Sequence, residues 1–279
     1  MGSIREQPGH PAATRPRARV KPGGPRAETP SMQIFMLVAV GTLFVVWIVT
    51  GVRLMLLARR TRALPEFLLG AGLLLQAGIG YPLSVVAQAA PRYALVASAL
   101  GALFSNAGMG LLIVFTARVF HDSSRWAWAV VGASGALLAV QGAGHVIGQA
   151  SAQTAEEKLA AVLFWGAGSL ALSGLSWGWT AFETLRFHAQ LRKRAALGLG
   201  DPVVANRMLL WGLMGCCAVG AVVIDTLLLY SGSQVAREVL LPMVTAAAGL
   251  LVSVCMILAF WPPAAYLAYV RGSRAAAGV

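Results

Sequence analysis

Apolar residues fall in seven long blocks that are separated by short loops rich in basic residues. A helix needs about 20 mostly apolar residues to cross the hydrocarbon core of a bilayer, and lipid offers no partner for a free backbone amide. The blocks lie at residues 33–58, 65–88, 94–119, 126–148, 156–185, 204–230 and 238–260. The pattern predicts an all-α fold, a polytopic membrane protein built as a seven-transmembrane-helix bundle.

Several predicted helix ends carry their own signals. Proline and acidic residues suit the first turn of a helix, and a Thr followed three residues later by Glu forms a capping box. The signals are Pro65 with Glu66 before the second span, Thr154 with Glu157 before the fifth, Asp201 with Pro202 before the sixth, and Pro262 with Pro263 after the seventh. Within the second span, Gly78, Gly80 and Pro82 predict a kink.

Composition agrees with a membrane domain that takes up most of the chain. Apolar residues make up 58% and charged residues 11%, whereas ordinary soluble domains have about 45–50% and about 25%. The expected organisation is a basic N-terminal tail at 1–31, a seven-helix domain at 32–263, and a short cytoplasmic C-terminal tail at 264–279.

The N-terminal tail is rich in Pro, Gly and Arg, and it carries six basic residues against Glu6 and Glu28. Such a composition predicts disorder. The tail lacks the apolar core and the small-residue cleavage site of a signal peptide. We expect either that a basic tail is exported ahead of the first span or that the natural chain starts at Met32.

Orientation follows from the basic residues beside the spans, because Lys and Arg concentrate in cytoplasmic loops. One set of ends holds thirteen of them and the opposite set holds three. The thirteen are Arg53, Arg59, Arg60, Arg62, Arg118, Arg125, Arg186, Arg192, Lys193, Arg194, Arg207, Arg271 and Arg274, and the three are Arg92, Lys158 and Arg237. The count predicts an N-terminus outside and a C-terminus in the cytoplasm.

The net charge of +12 follows this topology and does not form a patch on a folded domain, so it gives no reason to expect a nucleic-acid partner. The basic cytoplasmic loops, above all Arg192, Lys193 and Arg194, should attract anionic lipid headgroups. They could also dock an acidic cytoplasmic protein. The abundance of Arg, Ala and Gly suggests a GC-rich bacterial source, and hence the cytoplasmic (inner) membrane.

A polar stripe runs along the fifth span toward its basic end. Its members are spaced by three or four residues and therefore share one helix face: Ser169, Ser173, Ser176, Thr180 and Glu183. One interpretation is the wall of a polar cavity or solute path. The other is close helix packing, which Gly174 and Gly178 on an adjacent face favour.

Four further polar residues lie toward the outer side of the spans and are candidates for ligand binding: Tyr81, Gln141, His145 and Asp225. Asp225 is the one carboxylate placed well inside a predicted span, and a carboxylate at that depth is expected to face the bundle interior and bond to another helix. Gln141 and His145 are four residues apart, on one face of the fourth span. Because His145 and Asp225 lie at similar depth, a contact between them is one hypothesis.

Several classes of chemistry find no support in the sequence. The seventh span has no lysine for a retinal Schiff base, only one of the four histidines lies within a span, and no later histidine could activate Ser134 of the Gly132–Gly135 segment. The three cysteines do not form a metal or redox motif. We therefore expect no catalytic residues, no metal and no cofactor.

Three functions stay open. The first is a non-enzymatic receptor that senses a small or lipophilic ligand from the outer side and signals through a separate cytoplasmic partner. The second is a small-solute or proton-coupled transporter, which a polar path reaching both faces would favour. The third is an accessory subunit of a membrane complex. A pocket closed below mid-depth would favour the receptor.

Overall fold

The computed structural model describes residues 30–233, 235 and 239–272. Of the predicted tail at 1–31, residues 1–29 lie outside this range, as do the residues after 272, whereas residues 30 and 31 belong to the first helix. The α-helices are α1 (Pro30–Thr61), α2 (Leu64–Leu73), α3 (Tyr81–Ala89), α4 (Ala94–Phe120), α5 (Arg125–Ser151), α6 (Ala155–Ala196), α7 (Pro202–Tyr230), α8 (Leu241–Phe260) and α9 (Ala264–Gly272). A π-helical turn, Leu74–Gly80, joins α2 to α3, and a short 3₁₀ turn, Pro91–Tyr93, precedes α4.

Seven helical segments in the described range are long and apolar enough to cross a membrane. They are Ile34–Thr61, Leu64–Ala89, Pro91–Phe120, Arg125–Ser151, Glu156–Ala196, Pro202–Tyr230 and Leu241–Phe260. Each coincides with one predicted span, so the all-α prediction with seven apolar helices is confirmed. The second segment consists of α2, the π turn and α3, so the irregularity expected at Gly78, Gly80 and Pro82 takes the form of the π turn.

The predicted helix ends are also confirmed. Thr154 and Glu157 form the capping box of α6, with the Glu157 N–H donating to the Thr154 hydroxyl at 3.1 Å. Asp201 caps α7, because its carboxylate accepts from the Val203 N–H at 2.8 Å. Helix α8 ends at Phe260, before the two prolines.

Two segments differ from the prediction. Helix α6 continues to Ala196, beyond the expected end at 185. Eleven more residues add about 16 Å of helix. Hydropathy marks where an apolar span ends, but Leu, Ala, Gln, Arg and Lys are good helix formers and continue the helix into the charged segment. Residues 264–272, placed in the C-terminal tail, form α9, which packs against α7 through an Asn206–Tyr266 side-chain hydrogen bond of 2.8 Å.

Six segments form a closed ring. Going around it, α1 packs on α2, α2 on α4, α4 on α6, α6 on α7, α7 on α8 and α8 on α1, while α5 lies outside against α4 and α6. We call the end with loops 62–63, 121–124, 197–201 and 261–263 the basic end. The end with Ala90, the 152–154 loop and the α7–α8 connection is the distal end.

Glycines set how closely the helices of the ring approach. A methyl group on Gly108 of α4 would lie 2.7 Å from the carbonyl oxygen of Gly72 and 2.9 Å from Cβ of Gln76. The backbones of α4 and the second apolar segment are therefore in contact. Gly174 and Gly178 face Val222 and Val219 of α7, so these two glycines of α6 serve helix packing.

The largest apolar cluster fills the ring in its basic half. Its most buried members include Leu73, Leu112, Trp177, Met214 and Met256, each less than 5% exposed. This cluster lies between the two ends of the bundle. It determines which parts of the interior remain open.

Candidate functional site

The distal half of the ring encloses a cavity of about 300 Å³, here called the main chamber. It is lined by residues of α1, the π turn, α3, α4, α6 and α8: Ala39, Val40, Leu43, Phe44, Trp47, Gln76, Ala77, Tyr81, Ser84, Ser105, Met109, Ser169, Leu170, Ser173, Thr245, Ala246 and Gly249. Apolar and aromatic side chains dominate the lining, and a few hydroxyls and one amide interrupt it. Ligand pockets commonly have this composition.

A smaller side chamber of about 190 Å³ adjoins the main chamber. It is lined by Ser84, Ala102, Ser105, Asn106, Gln141, His145, Gly166 and Ser169. Ser84, Ser105 and Ser169 line both cavities, so these three serines mark the junction. The two chambers together form an apolar compartment next to a polar one.

Asn106 and Gln141 form the best-buried polar contact of the side chamber, at 8% and 6% exposure. The Asn106 amide donates to the Gln141 side-chain oxygen at 2.7 Å and to the Leu138 carbonyl at 3.0 Å. Gln141 in turn donates to the Trp165 carbonyl at 3.1 Å. This network joins α4, α5 and α6 and fixes one wall of the chamber.

His145 forms a second polar cluster with Ser98 and Gln149. Its Nε2 lies 2.9 Å from the Ser98 hydroxyl and accepts from the Gln149 amide at 2.7 Å. Because an amide nitrogen can only donate, a neutral imidazole in this contact carries its proton on Nδ1. That Nδ1 is buried and has no hydrogen-bond partner among the described residues. The side chamber is therefore lined by a histidine whose N–H group is unpaired.

No Lys, Arg, Asp or Glu belongs to the described lining of either chamber. Moving a charge from water into an apolar environment costs far more than moving a polar group. The chambers therefore suit an uncharged molecule, with hydrogen-bonding groups in the side chamber and an apolar body in the main chamber.

The polar stripe of α6 divides into two parts. Ser169 and Ser173 line the main chamber, as the cavity interpretation predicts. Thr180 is fully buried, and its hydroxyl lies 2.8 Å from that of Thr116 on α4. Ser176 is fully buried as well, and its hydroxyl has no partner in the described part of the chain. The first two members of the stripe thus lie at a cavity wall, and the next two lie in the packed interior.

Glu183, the last member of the stripe, belongs to a cluster at the basic end. It is 5% exposed and accepts from His121 Nε2 at 2.7 Å, whereas the nearest Arg186 nitrogen is 4.0 Å away. The His121 ring packs against Trp126 and Trp179, with centroid distances of 4.7 and 6.3 Å, and the two tryptophans contact each other at 5.8 Å. This arrangement ties the α4–α5 loop to α6.

Packed side chains lie between the main chamber and the basic end. A second cavity, the vestibule, lies at that end, has a volume of about 380 Å³ and is lined in part by Leu69, Phe115 and Trp211. From Met109, which lines the main chamber, to Phe115, the axis of α4 rises by about 9 Å. The apolar cluster fills this interval.

Asp225 lies outside both chambers. The Thr245 hydroxyl on α8 lies 3.2 and 3.4 Å from its two carboxylate oxygens and 2.9 Å from the Leu241 carbonyl of its own helix, so the contact between α7 and α8 shares one hydroxyl proton with a backbone acceptor. Thr245 itself lines the main chamber. The hypothesis of a contact with His145 is wrong, because the ring places α5 beside α4 and α6, while Asp225 of α7 bonds to α8. Tyr81, Gln141 and His145 do line the two adjoining chambers.

Several lining residues, among them Ser105 and Thr245, were not predicted from the sequence. On α4, Ser105 shares a face of small residues with Ser98, Gly101 and Gly108, at spacings of three and four, and this face was a usable signal. Thr245 gave a weaker one, as a single polar residue near the start of an apolar block. The pairing of helices that brings these residues together has no local signal.

Among the described residues, no group of three or more His, Cys, Asp or Glu side chains is arranged to hold a metal ion. Compared with protein-family models, with curated proteins and with solved structures, the chain gives no match.

Proposed function

We propose that this chain is a non-enzymatic receptor of a bacterial cytoplasmic membrane, which binds a small, uncharged, amphiphilic ligand in the two chambers from the outer side. The polar head of the ligand contacts the side chamber, near His145 and Gln141. Its apolar body lies in the main chamber, near Tyr81. A separate cytoplasmic protein receives the signal.

The packing between the main chamber and the basic end carries this proposal. A channel open to both faces would have to cross the interval between the two cavities, and in this conformation that interval holds side chains such as Leu73, Leu112 and Met214, each less than 5% exposed. Packed interiors leave few voids larger than a water molecule. In this conformation a ligand that enters the chambers meets packed side chains on the side of the basic end, which supports binding within the distal half of the bundle.

The chemistry of the lining supports the type of ligand. Gln141 and Asn106 satisfy each other. The donors available to a ligand are therefore the unpaired His145 N–H and the hydroxyls of Ser105 and Ser169. A carbonyl or hydroxyl oxygen is the matching acceptor. Asp225 acts one step away, by holding Thr245 of the chamber wall in place.

The outer location of the chambers rests on the proposed orientation. In the described part of the chain, twelve of the thirteen basic residues counted for the cytoplasmic side flank the basic end and two of the other three flank the distal end, which supports a cytoplasmic basic end and an exported N-terminus. Anionic lipids are the expected neighbours of Arg192, Lys193 and Arg194, which lie on the extension of α6. The same surface is available to an acidic cytoplasmic partner.

Ligand type is tested with four probes of equal chain length: octane, octan-1-ol, octanoate and octylammonium. The full chain is placed in nanodiscs, and thermal unfolding is followed at equal probe concentration in the bilayer. We expect octan-1-ol to raise the unfolding temperature most, because it combines an apolar chain with a neutral acceptor and donor. Greater stabilisation by either charged probe would contradict the proposed ligand chemistry.

A cavity-filling variant tests the location. Ser173→Leu places bulk in the main chamber, and Ala171→Leu places the same bulk on the exposed face of α6, two residues away. Ser173→Leu should remove the stabilisation by octan-1-ol, and Ala171→Leu should retain it. Equal responses in both variants would show that the probe acts through the bilayer.

Orientation is tested by cysteine labelling in a variant whose three native cysteines are replaced. Ser231→Cys should react with a membrane-impermeant maleimide in intact cells, and Leu199→Cys, an exposed position in the α6–α7 loop, should react only after lysis. Reaction of Leu199→Cys in intact cells would reverse the orientation and place the chambers on the cytoplasmic side.

A further inference from the structure

The vestibule at the basic end has a lining that the proposed receptor function does not use. Its floor is apolar and aromatic, with Leu69, Phe115 and Trp211 among its members. Three charged residues also line it: Arg53 from α1, Glu66 from α2 and Arg207 from α7. Their formal charges sum to +1, so the lining as a whole attracts an anion.

These charged groups do not neutralise each other. No ion pair joins Glu66 to either arginine in the part of the chain that the structure describes. Arg53 donates to the Phe260 carbonyl at 2.9 Å and lies over the Trp261 ring. Arg207 forms no hydrogen bond or ion pair with another described residue. The vestibule therefore has two guanidinium groups and an unpaired carboxylate around one space.

Glu66 provides an independent observation. Its Oε2 atom is buried and has no hydrogen-bond partner among the described residues. Leaving a buried charged acceptor without a donor is costly, and a hydroxyl group is the donor that a carboxylate binds without a change of net charge. A molecule that fills the vestibule should therefore carry a hydroxyl as well as a negative charge.

The vestibule is also open to an apolar chain. Leu57 of α1 and Val119 of α4 line it and are 41% and 43% exposed. Apolar side chains thus continue from the floor of the vestibule to the surface of the bundle. An acyl chain could follow this apolar strip while its head group stays between the arginines.

From these contacts we infer a second binding site, at the basic end, for an anionic amphiphile whose head group carries a hydroxyl, with phosphatidylglycerol as the matching membrane lipid. The phosphate lies between Arg53 and Arg207, a glycerol hydroxyl donates to Glu66, and the chain packs along Phe115 and Val119. Basic pockets between membrane helices bind anionic lipid headgroups in this way. The site is independent of the proposed receptor function.

Binding is measured by native mass spectrometry of the full chain in a non-ionic detergent, with three lipids of equal chain length in competition. Phosphatidylglycerol has the charge and the hydroxyls, phosphatidylmethanol has the charge alone, and phosphatidylcholine has neither a net charge nor a donor. We expect occupancy to fall in that order. Equal occupancy by the first two lipids would show that Glu66 does not select the head group.

Arg207→Gln tests the site, and Arg194→Gln is the matched control on the α6 extension. Loss of Arg207 should weaken phosphatidylglycerol binding about tenfold, on the scale of one charge-assisted phosphate contact, and loss of Arg194 should leave it within about twofold. Equal losses in the two variants would mean that the lipid follows the general basic charge of this end, and the site would be rejected.

Glu66→Gln tests the head-group contact without a change of shape. Removing the negative charge should strengthen binding of both anionic lipids and narrow the difference between phosphatidylglycerol and phosphatidylmethanol. An unchanged difference would contradict the hydroxyl contact. Single-chain lysophosphatidylglycerol tests whether the site requires a membrane lipid with two chains. Weaker Arg207-dependent binding of the lysolipid would assign the site to the membrane lipid. Equal binding would assign it to single-chain amphiphiles as well.

Discussion

The hydroxyl oxygens of Thr116 on α4 and Thr180 on α6 lie 2.8 Å apart, and both side chains are fully buried. Each threonine is also in contact with a carbonyl of its own helix, Leu112 for Thr116 and Ser176 for Thr180. The pair is the polar link across the ring beneath the main chamber. Along α6, the polar stripe lines the main chamber up to Ser173, and it is fully buried at Ser176 and Thr180.

Replacing Thr180 by valine should measure the strength of this link. Valine keeps the shape, and Thr116 keeps its bond to Leu112, so no buried hydroxyl is left without a partner. We expect a loss of about 0.5–1.5 kcal/mol in the free energy of unfolding, the scale of interhelical hydrogen bonds in membranes. Thr226→Val is the control, because the Thr226 hydroxyl donates to Val222 of its own helix. An equal loss in the control would contradict a role for the link.

Glycine substitutions test the close contact between α4 and the second apolar segment. Gly108→Ala places a methyl group 2.7 Å from a backbone oxygen of Gly72, so the helices must separate, and we expect a loss of about 2 kcal/mol or more. A methyl group added to Gly135 of α5 would have no neighbour within 4 Å. Gly135→Ala should therefore be neutral or stabilise by up to about 1 kcal/mol, from helix propensity alone. Thermal unfolding of both variants gives the comparison, and destabilisation by both would argue against the packing explanation.

Removal of His121 should expose how Glu183 is stabilised. His121→Ala leaves a 5% exposed carboxylate without its 2.7 Å donor and removes the ring that packs against Trp126 and Trp179. We expect a loss of about 2–3 kcal/mol. Arg186→Ala should cost less than about 1 kcal/mol, because that side chain is 58% exposed and 4.0 Å from Glu183. A larger loss from Arg186→Ala, measured by chemical unfolding in detergent, would reverse the assignment of the partner.

A double-mutant cycle tests the contact between Asp225 and Thr245. Asp225→Ala, Thr245→Val and the double variant should give a coupling free energy of about 0.6–1.7 kcal/mol, because the single hydrogen-bonded contact is lost in each. Asp225→Asn retains an oxygen that accepts from Thr245 and should preserve most of the stability. A coupling of zero would show that the two helices gain nothing from this contact.

The spans could be predicted because hydropathy is averaged over about 20 residues. Each of the seven segments contains a strongly apolar window of 18 residues. The end of α6 could not be predicted in this way, because the residues after 185 are polar but still favour a helix. Caps such as Thr154 with Glu157 were predictable because the interacting groups are three residues apart.

The site was predictable only in part, for a related reason. Tyr81, Gln141 and His145 stood out because a polar residue within an apolar block is unusual at any position. The contact of Asp225 with Thr245 depends on which helices are neighbours in the ring. Which helices are neighbours is decided by packing around the whole bundle, through contacts such as Gly108 with Gly72. The sequence of one helix does not show which helix it will contact.

The length of α6 gives this helix a mechanical property. From Ser173 at the main chamber to Ala196 at its basic tip, the axis runs about 35 Å. A tilt of about 5° at the serines would displace the tip by on the order of 3 Å, as follows from that length. The tip carries Arg192, Lys193 and Arg194. A small tilt of α6 at the chamber wall would thus produce a larger movement of positive charge at the basic end.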